Sequence, residues 1–182
     1  MTGQEQYAGE ACCRCKTEVP GKPDIFEARK CVGFGAPSAY ALIKGVGAYA
    51  GISGELRLYS VYRGTLAVLD VSGLPENGTG FYGCHIHEGA SCTGDQQDLL
   101  KDTKGHYNPA GQQHPEHAGD LPPLLGNQGR AWISVYTRRF FPEDVVGRTL
   151  VIHEMPDDFR TQPAGDSGMK MACGVIRASV YV

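Results

Sequence analysis

Five of the chain's six histidines lie between Gly80 and Asp120, and their spacing restricts what that stretch can become. It reads G-F-Y-G-C-H-I-H-E, then G-H-Y-N-P, then H-P-E-H-A-G-D, while the sixth histidine, His153, sits in V-I-H-E-M-P-D-D. Side chains two apart on a strand share a face, so His85 and His87 project together and Cys84 and Ile86 turn the other way, toward a core. The segment carrying His106, His114, His117 and Asp120 is too rich in Gly, Pro and Asn for one regular element. A loop of that length inside a compact domain needs something to tie it down. Three imidazoles and a carboxylate match a closed tetrahedral zinc site, and the remaining imidazoles suit copper, which accepts nitrogen ligands in a flattened arrangement. A single H-x-H on a strand is weak evidence, since histidines also sit at surfaces or satisfy a hydrogen bond. The whole constellation points to metal.

Elsewhere the apolar runs are short and bounded by breakers, which excludes long helices. With 25 glycines and 11 prolines, the expected fold class is all-β, a Greek-key sandwich or barrel with long metal-binding loops. Candidate strands are Ala39 to Gly45, Gly54 to Tyr62, Thr65 to Val71, Gly80 to His87, Gly129 to Thr137, Thr149 to His153 and Met171 to Val182. At 182 residues the chain suits one domain with a sizeable core, residues 38–182, preceded by a cysteine-containing extension, residues 1–37. A formal net charge of -3 and the lack of a basic block exclude nucleic acid as the expected partner, and no apolar run is long enough to span a membrane. The start Met-Thr-Gly-Gln-Glu-Gln lacks the basic and apolar segments of a secretory signal, so the expected location is the cytoplasm. Cys12, Cys13 and Cys15, with Cys31 further on, admit two readings: a soft thiolate site for Cu(I) or zinc, or a polar tail with ordinary thiols or a local disulfide.

The segments G-C-H-I-H-E, G-H-Y-N-P, H-A-G-D-L-P, G-R-T-L-V-I-H-E-M-P-D-D and M-A-C-G-V-I, in that order, resemble the copper,zinc superoxide dismutases, over the region from Ala39 to the end. The short E-G-A-S-C segment after the histidine pair is closer to bacterial members. The resemblance implies eight antiparallel strands and dismutation of superoxide to dioxygen and hydrogen peroxide. It assigns copper to His85, His87, His106 and His153, and zinc to His106, His114, His117 and Asp120, with His106 shared as an imidazolate. Two divalent ions, the imidazolate and Asp120 then sum to about +2, and gain of an electron by copper with a proton by His106 leaves about +2, so the two costs offset each other. Only two residues separate His114 from His117, fewer than in many members, so the zinc geometry is the less secure of the two.

Further roles follow from the same resemblance. Cys92 pairs with Cys173. Asp157 links a copper histidine to a zinc histidine and fixes their orientation, with its neighbour Asp158 as the competing candidate. Lys170 stands where the family has an arginine, and it is expected to steer the anionic substrate and stabilise it when bound, without the arginine's rigid fork. His85, His87 and His153 come from strands, whereas the zinc segment has no such support in the sequence. Gly147 and Arg148 are expected to serve turn and loop packing. Trp132, Phe140 and Phe141 read as exposed apolar residues, open to a homodimer interface or to loop packing. The competing function is a non-catalytic copper or zinc carrier on the same sandwich, which the cysteine-rich amino end would favour.

Overall fold

A computed structural model describes residues 36–179. Cys12, Cys13, Cys15 and Cys31, and the last three residues of the expected final strand, lie outside the described residues. The strands are β1 (Ala39–Gly45), β2 (Ser53–Val61), β3 (Gly64–Ser72), β4 (Phe81–Tyr82), β5 (Cys84–His87), β6 (Leu124–Leu125), β7 (Arg130–Thr137), β8 (Thr149–His153), β9 (Lys170–Val175) and β10 (Arg177–Ala178). Helical structure among the described residues is confined to short 3-10 turns. The fold is the all-β class read from the breakers: β1, β2 and β3 form a meander, and β7 joins β3. The chain then crosses over, so that β8 and β9 return beside β1 and β5 lies outermost, in the order β5-β8-β9-β1-β2-β3-β7 with β10 against β1. Every pairing is antiparallel, and β4 and β6 form a separate ribbon.

Period-two alternation explains the core. Leu56 and Leu58 of β2 and Ala67, Leu69 and Val71 of β3 turn inward and meet Ile86, Leu150, Ile152 and Met171 from the far strands. Truncating one of these leucines to alanine removes buried apolar surface and leaves a cavity, a cost of about 2–5 kcal/mol. A smaller cluster of Leu100, Val151 and Cys173 packs beside the Cys92–Cys173 disulfide. That bridge ties the loop after β5 to β9.

Three expectations need correction. Gly80 to His87 is two strands, because Gly83 leaves the ladder to donate its N–H to the Met155 carbonyl and to accept from His153 at 2.8 Å each. The final strand starts at Lys170 and breaks at Ile176, whose N–H goes instead to the Arg148 carbonyl. Phe140 is buried, at 2% exposure, and its carbonyl accepts the Thr65 hydroxyl at 2.8 Å; Trp132 and Phe141 are exposed as expected.

Candidate metal centre

On β5 the alternation works as the sequence implies. Cys84 and Ile86 enter the core, and His85 and His87 occupy the opposite face, both buried. His153 ends β8 after a register shift at Ile152/His153 that turns its ring toward His87. The segment with the remaining ligand candidates is better supported than its composition suggests. It docks on the free edge of β5 through bridges His87↔His106 and His85↔Asp120, with Tyr107 N–H donating to the Ile86 carbonyl at 2.7 Å and Ile86 N–H to the Gly119 carbonyl at 2.9 Å. A Cβ on Gly119 would fall 2.2 Å from the Ile86 oxygen, so only glycine permits this approach.

Two groups of donor atoms result: His85, His87, His106 and His153, and His106, His114, His117 and Asp120, each with its atoms within 4.8 Å of one another. Hydrogen bonds on the outer ring nitrogens decide what the inner ones present. A neutral imidazole has one donor and one acceptor, and an oxygen acceptor must face the N–H. Asp157 receives His85 Nε2 and His114 Nε2 at 2.8 Å each, the Lys104 carbonyl receives His87 Nδ1 at 2.8 Å, and the Gly168 carbonyl faces His153 Nδ1 at 3.4 Å. Asp120 Oδ1 lies 2.7 Å from His106 Nδ1. Bare lone pairs are therefore left at His85 Nδ1, His87 Nε2, His106 Nε2, His153 Nε2 and His114 Nδ1. Three of these, on His85, His106 and His114, are buried with no hydrogen-bond partner. His87 Nε2 and His153 Nε2 face each other at 3.2 Å as two acceptors, and His114 Nδ1 stands 3.0 Å from Asp120 Oδ2 without the geometry of a hydrogen bond. Each unsatisfied buried acceptor costs about 1–3 kcal/mol, and converging lone pairs repel as well. Cations resolve both costs, and this donor set of imidazole nitrogens with one carboxylate fits copper and zinc.

The electrostatics agree. Burial, reinforced by the neighbouring ring of His85, pushes His153 down to about 3. Burial and the nearby rings of His153 and His106 hold His87 well below the ordinary imidazole range, and burial lowers His85 against the opposing pull of Asp157. Burial alone would raise the Asp157 carboxyl, but donors from His85, the Phe159 N–H and His114 outweigh it and hold the group at about 2. The same competition, with His106 as the main donor, lowers Asp120.

A pH dependence follows for the metal-free protein. The rings of His85, His87 and His153, with lowered values, stay neutral in the fold but take up protons in the unfolded chain below about pH 6.5, so stability rises with pH in that interval. This contribution is complete above about pH 6.5 and is lost as pH falls toward the folded values, by up to about 1.4 kcal/mol per pH unit for each ring. Asp157 and Asp120, with depressed values, add a loss of the same direction only below about pH 4. Thermal unfolding of metal-free protein is expected to move to lower temperature between about pH 7 and pH 4; a flat melting temperature would contradict the lowered values of His85, His87 and His153.

Several residues at the site have no motif to announce them. Arg139 Nη1 reaches the carbonyls of Pro115, His117 and Asp120 at 2.9, 3.1 and 3.4 Å, and Gln162 exchanges two hydrogen bonds with the His114 backbone at 3.0 and 2.7 Å. Both brace the short His114–His117 span. A Cβ on Gly165, at φ +70°, would meet Asp157 Oδ1 at 2.0 Å and His114 Nε2 at 2.8 Å. Arg148 lies over the Tyr107 ring at 4.4 Å and donates to the Glu88 carbonyl at 2.9 Å, the loop-packing part expected of it, and Gly147 takes the positive φ of its turn. Lys170 is registered opposite His153 on β9 and its ammonium pairs with Asp98 at 2.9 Å. Asp158 is exposed and caps the turn at Arg160 and Thr161, away from the histidines.

Comparison with known proteins gives the same picture. The family model described as copper/zinc superoxide dismutase matches residues 52–176. Superoxide dismutase [Cu-Zn] 2 of Aquifex aeolicus is 36% identical over 143 residues, 69% of this chain and 80% of the relative. Superoxide dismutase [Cu-Zn] of Deinococcus radiodurans is 34% identical over 133 residues, 63% and 71% of the two chains. Among solved structures, the Cu/Zn superoxide dismutase from Brucella abortus aligns with a TM-score of 0.65 and 25% identity, covering 75% of this chain and 98% of its own. With the lone pairs, the sheet order and the matched residues in agreement, the chain belongs to the copper/zinc superoxide dismutase family.

Proposed function

We propose that this protein converts two superoxide anions and two protons to dioxygen and hydrogen peroxide, with copper held by His85, His87, His106 and His153 and zinc by His106, His114, His117 and Asp120. The observation that carries the reading is the position of His106, whose Nδ1 lies 2.7 Å from Asp120 Oδ1 while its Nε2 is buried and unpartnered, and whose ring centroid stands 4.0 Å from that of His85. When bound at these residues, copper would supply one-electron redox chemistry and zinc fixed positive charge. The chain's own part is placement and proton handling. With Nδ1 committed on the Asp120 side, Nε2 is the nitrogen of His106 that would take up a proton when it is not holding copper and give it to the oxygen being reduced, the second proton coming from solvent. Lys170 supplies positive charge beside His153 for an anion approaching a protein of net charge -3.

Asp157 sets two of the rings at once, since its two oxygens receive His85 and His114. An amide cannot accept from both. Asp157→Asn is therefore expected to weaken zinc retention by about 10–100-fold, most visibly in mild acid, with Asp158→Asn close to the parent. Chelator competition followed by elemental analysis reads both, and the reverse order would move the role to Asp158.

The activity itself is tested by stopped-flow superoxide consumption with copper- and zinc-loaded protein, its chelator-treated form and loaded His153→Ala. Rapid consumption is expected for the loaded parent alone; parent-like consumption by His153→Ala would overturn the copper assignment. The carrier alternative drew its support from the amino-terminal cysteines, which lie outside the described residues.

A further inference from the structure

A lysine ammonium is a point charge on a flexible four-carbon stem, whereas a guanidinium brings its own planar array of donors. Lys170 is nonetheless held at two points: its Nζ donates to Asp98 Oδ2 at 2.9 Å and to the Leu100 carbonyl at 3.2 Å. Both acceptors are themselves fixed. Asp98 Oδ1 accepts the Leu100 N–H at 2.9 Å, the Asp98 N–H donates to Asp95 Oδ1 at 3.0 Å, and Leu100 is fully buried against Val151 and Cys173. The Lys170 side chain keeps 18% exposure, and its third N–H has no partner among the described residues.

We propose that Asp98 is a positioning residue for the reaction: it pins the Lys170 ammonium beside His153, leaving one N–H aimed at the incoming anion, and so replaces the rigidity that an arginine would bring. The inference rests on the reading of Lys170 as the cation that receives superoxide. Nothing local links the two residues, which are 72 positions apart and meet through the loop that the Cys92–Cys173 bridge closes onto β9.

Asp98 has two effects on an anion, and they differ in sign. Its carboxylate repels superoxide and cancels the distant field of Lys170, while its hold on the ammonium concentrates the near field at one place. The distant term is screened at physiological ionic strength, where the Debye length is about 8 Å; the near term is not. Removing Asp98 therefore speeds capture if it acts only as a negative charge and weakens anion binding if it acts as an anchor.

The experiment is a double-mutant cycle of Asp98→Ala and Lys170→Ala in copper- and zinc-loaded protein at physiological ionic strength. It reads azide affinity from the visible absorption of the copper site, and superoxide consumption by stopped flow. Asp98→Ala is expected to weaken azide binding and slow consumption about fivefold in the parent, and by less than about twofold where Lys170 is already alanine. Equal or tighter azide binding in Asp98→Ala overturns the proposal. So does the same fivefold loss without Lys170, which would place the effect in the loop and not in the ammonium. A Lys170→Ala variant indistinguishable from the parent removes the reading of Lys170 itself, a result separate from any failure of Asp98.

Discussion

His106→Ala is expected to reduce superoxide consumption by more than about two orders of magnitude and to lower zinc affinity by at least about a hundredfold. Among the described residues, no other belongs to both donor groups. Its removal leaves three imidazoles on one side and His114, His117 and Asp120 on the other, while the backbone bridge His87↔His106 that docks the segment on β5 does not involve the deleted ring. His117→Ala is the informative comparison, because it removes one of the proposed zinc donors and spares the four proposed for copper. It is expected to lose zinc and keep measurable consumption of superoxide. Elemental analysis beside stopped-flow assays of the two variants separates a shared ring from two unrelated sites.

Replacing Cys92 and Cys173 with serine is expected to cost about 4 kcal/mol of stability, because the bridge closes a loop across a sequence separation of 81 and so removes much of the unfolded chain's freedom. For a domain of this size that corresponds to a fall in melting temperature of roughly 10–15 °C. The effect is expected in metal-free protein as well, since the disulfide joins Leu100 and Val151 in a cluster outside the histidine groups. Calorimetry of metal-free parent and double-serine protein measures it; a loss below about 1 kcal/mol would show that the loop stays ordered in the unfolded ensemble or is strained in the fold. Cys84 offers no replacement partner, being buried in the core with its thiol pushed up to about 12 by burial.

What was legible in the sequence was what local periodicity encodes. Residues two apart on a strand share a face, so His85 and His87 were separable from Cys84 and Ile86 before any fold was known. Short apolar runs between glycines and prolines gave the strand class, and the ordered segments around His106, Asp120 and His153 gave the donor set. Contacts made across the sheet had no such signature. Arg139 reads as one of two adjacent arginines, yet it clamps three carbonyls of a loop about 20 residues away because β7 ends beside that loop. Phe140 looks like its neighbour Phe141, but the turn after β7 drives one ring into the core and the other outward. The docking of His106 and Asp120 on the edge of β5 was hidden because a glycine-rich segment carries no strand pattern even when it pairs like a strand. Its pairing depends on Gly119, which the composition alone marked only as a loop residue.

The most direct test of the shared ring is electron paramagnetic resonance of protein loaded with copper in both donor groups. Two copper ions joined through the nitrogens of His106 couple magnetically, so the signal of isolated copper should disappear, and His106→Ala should restore it. Two independent copper signals in the parent protein would contradict a common imidazole, and with it the proton path assigned to Nε2.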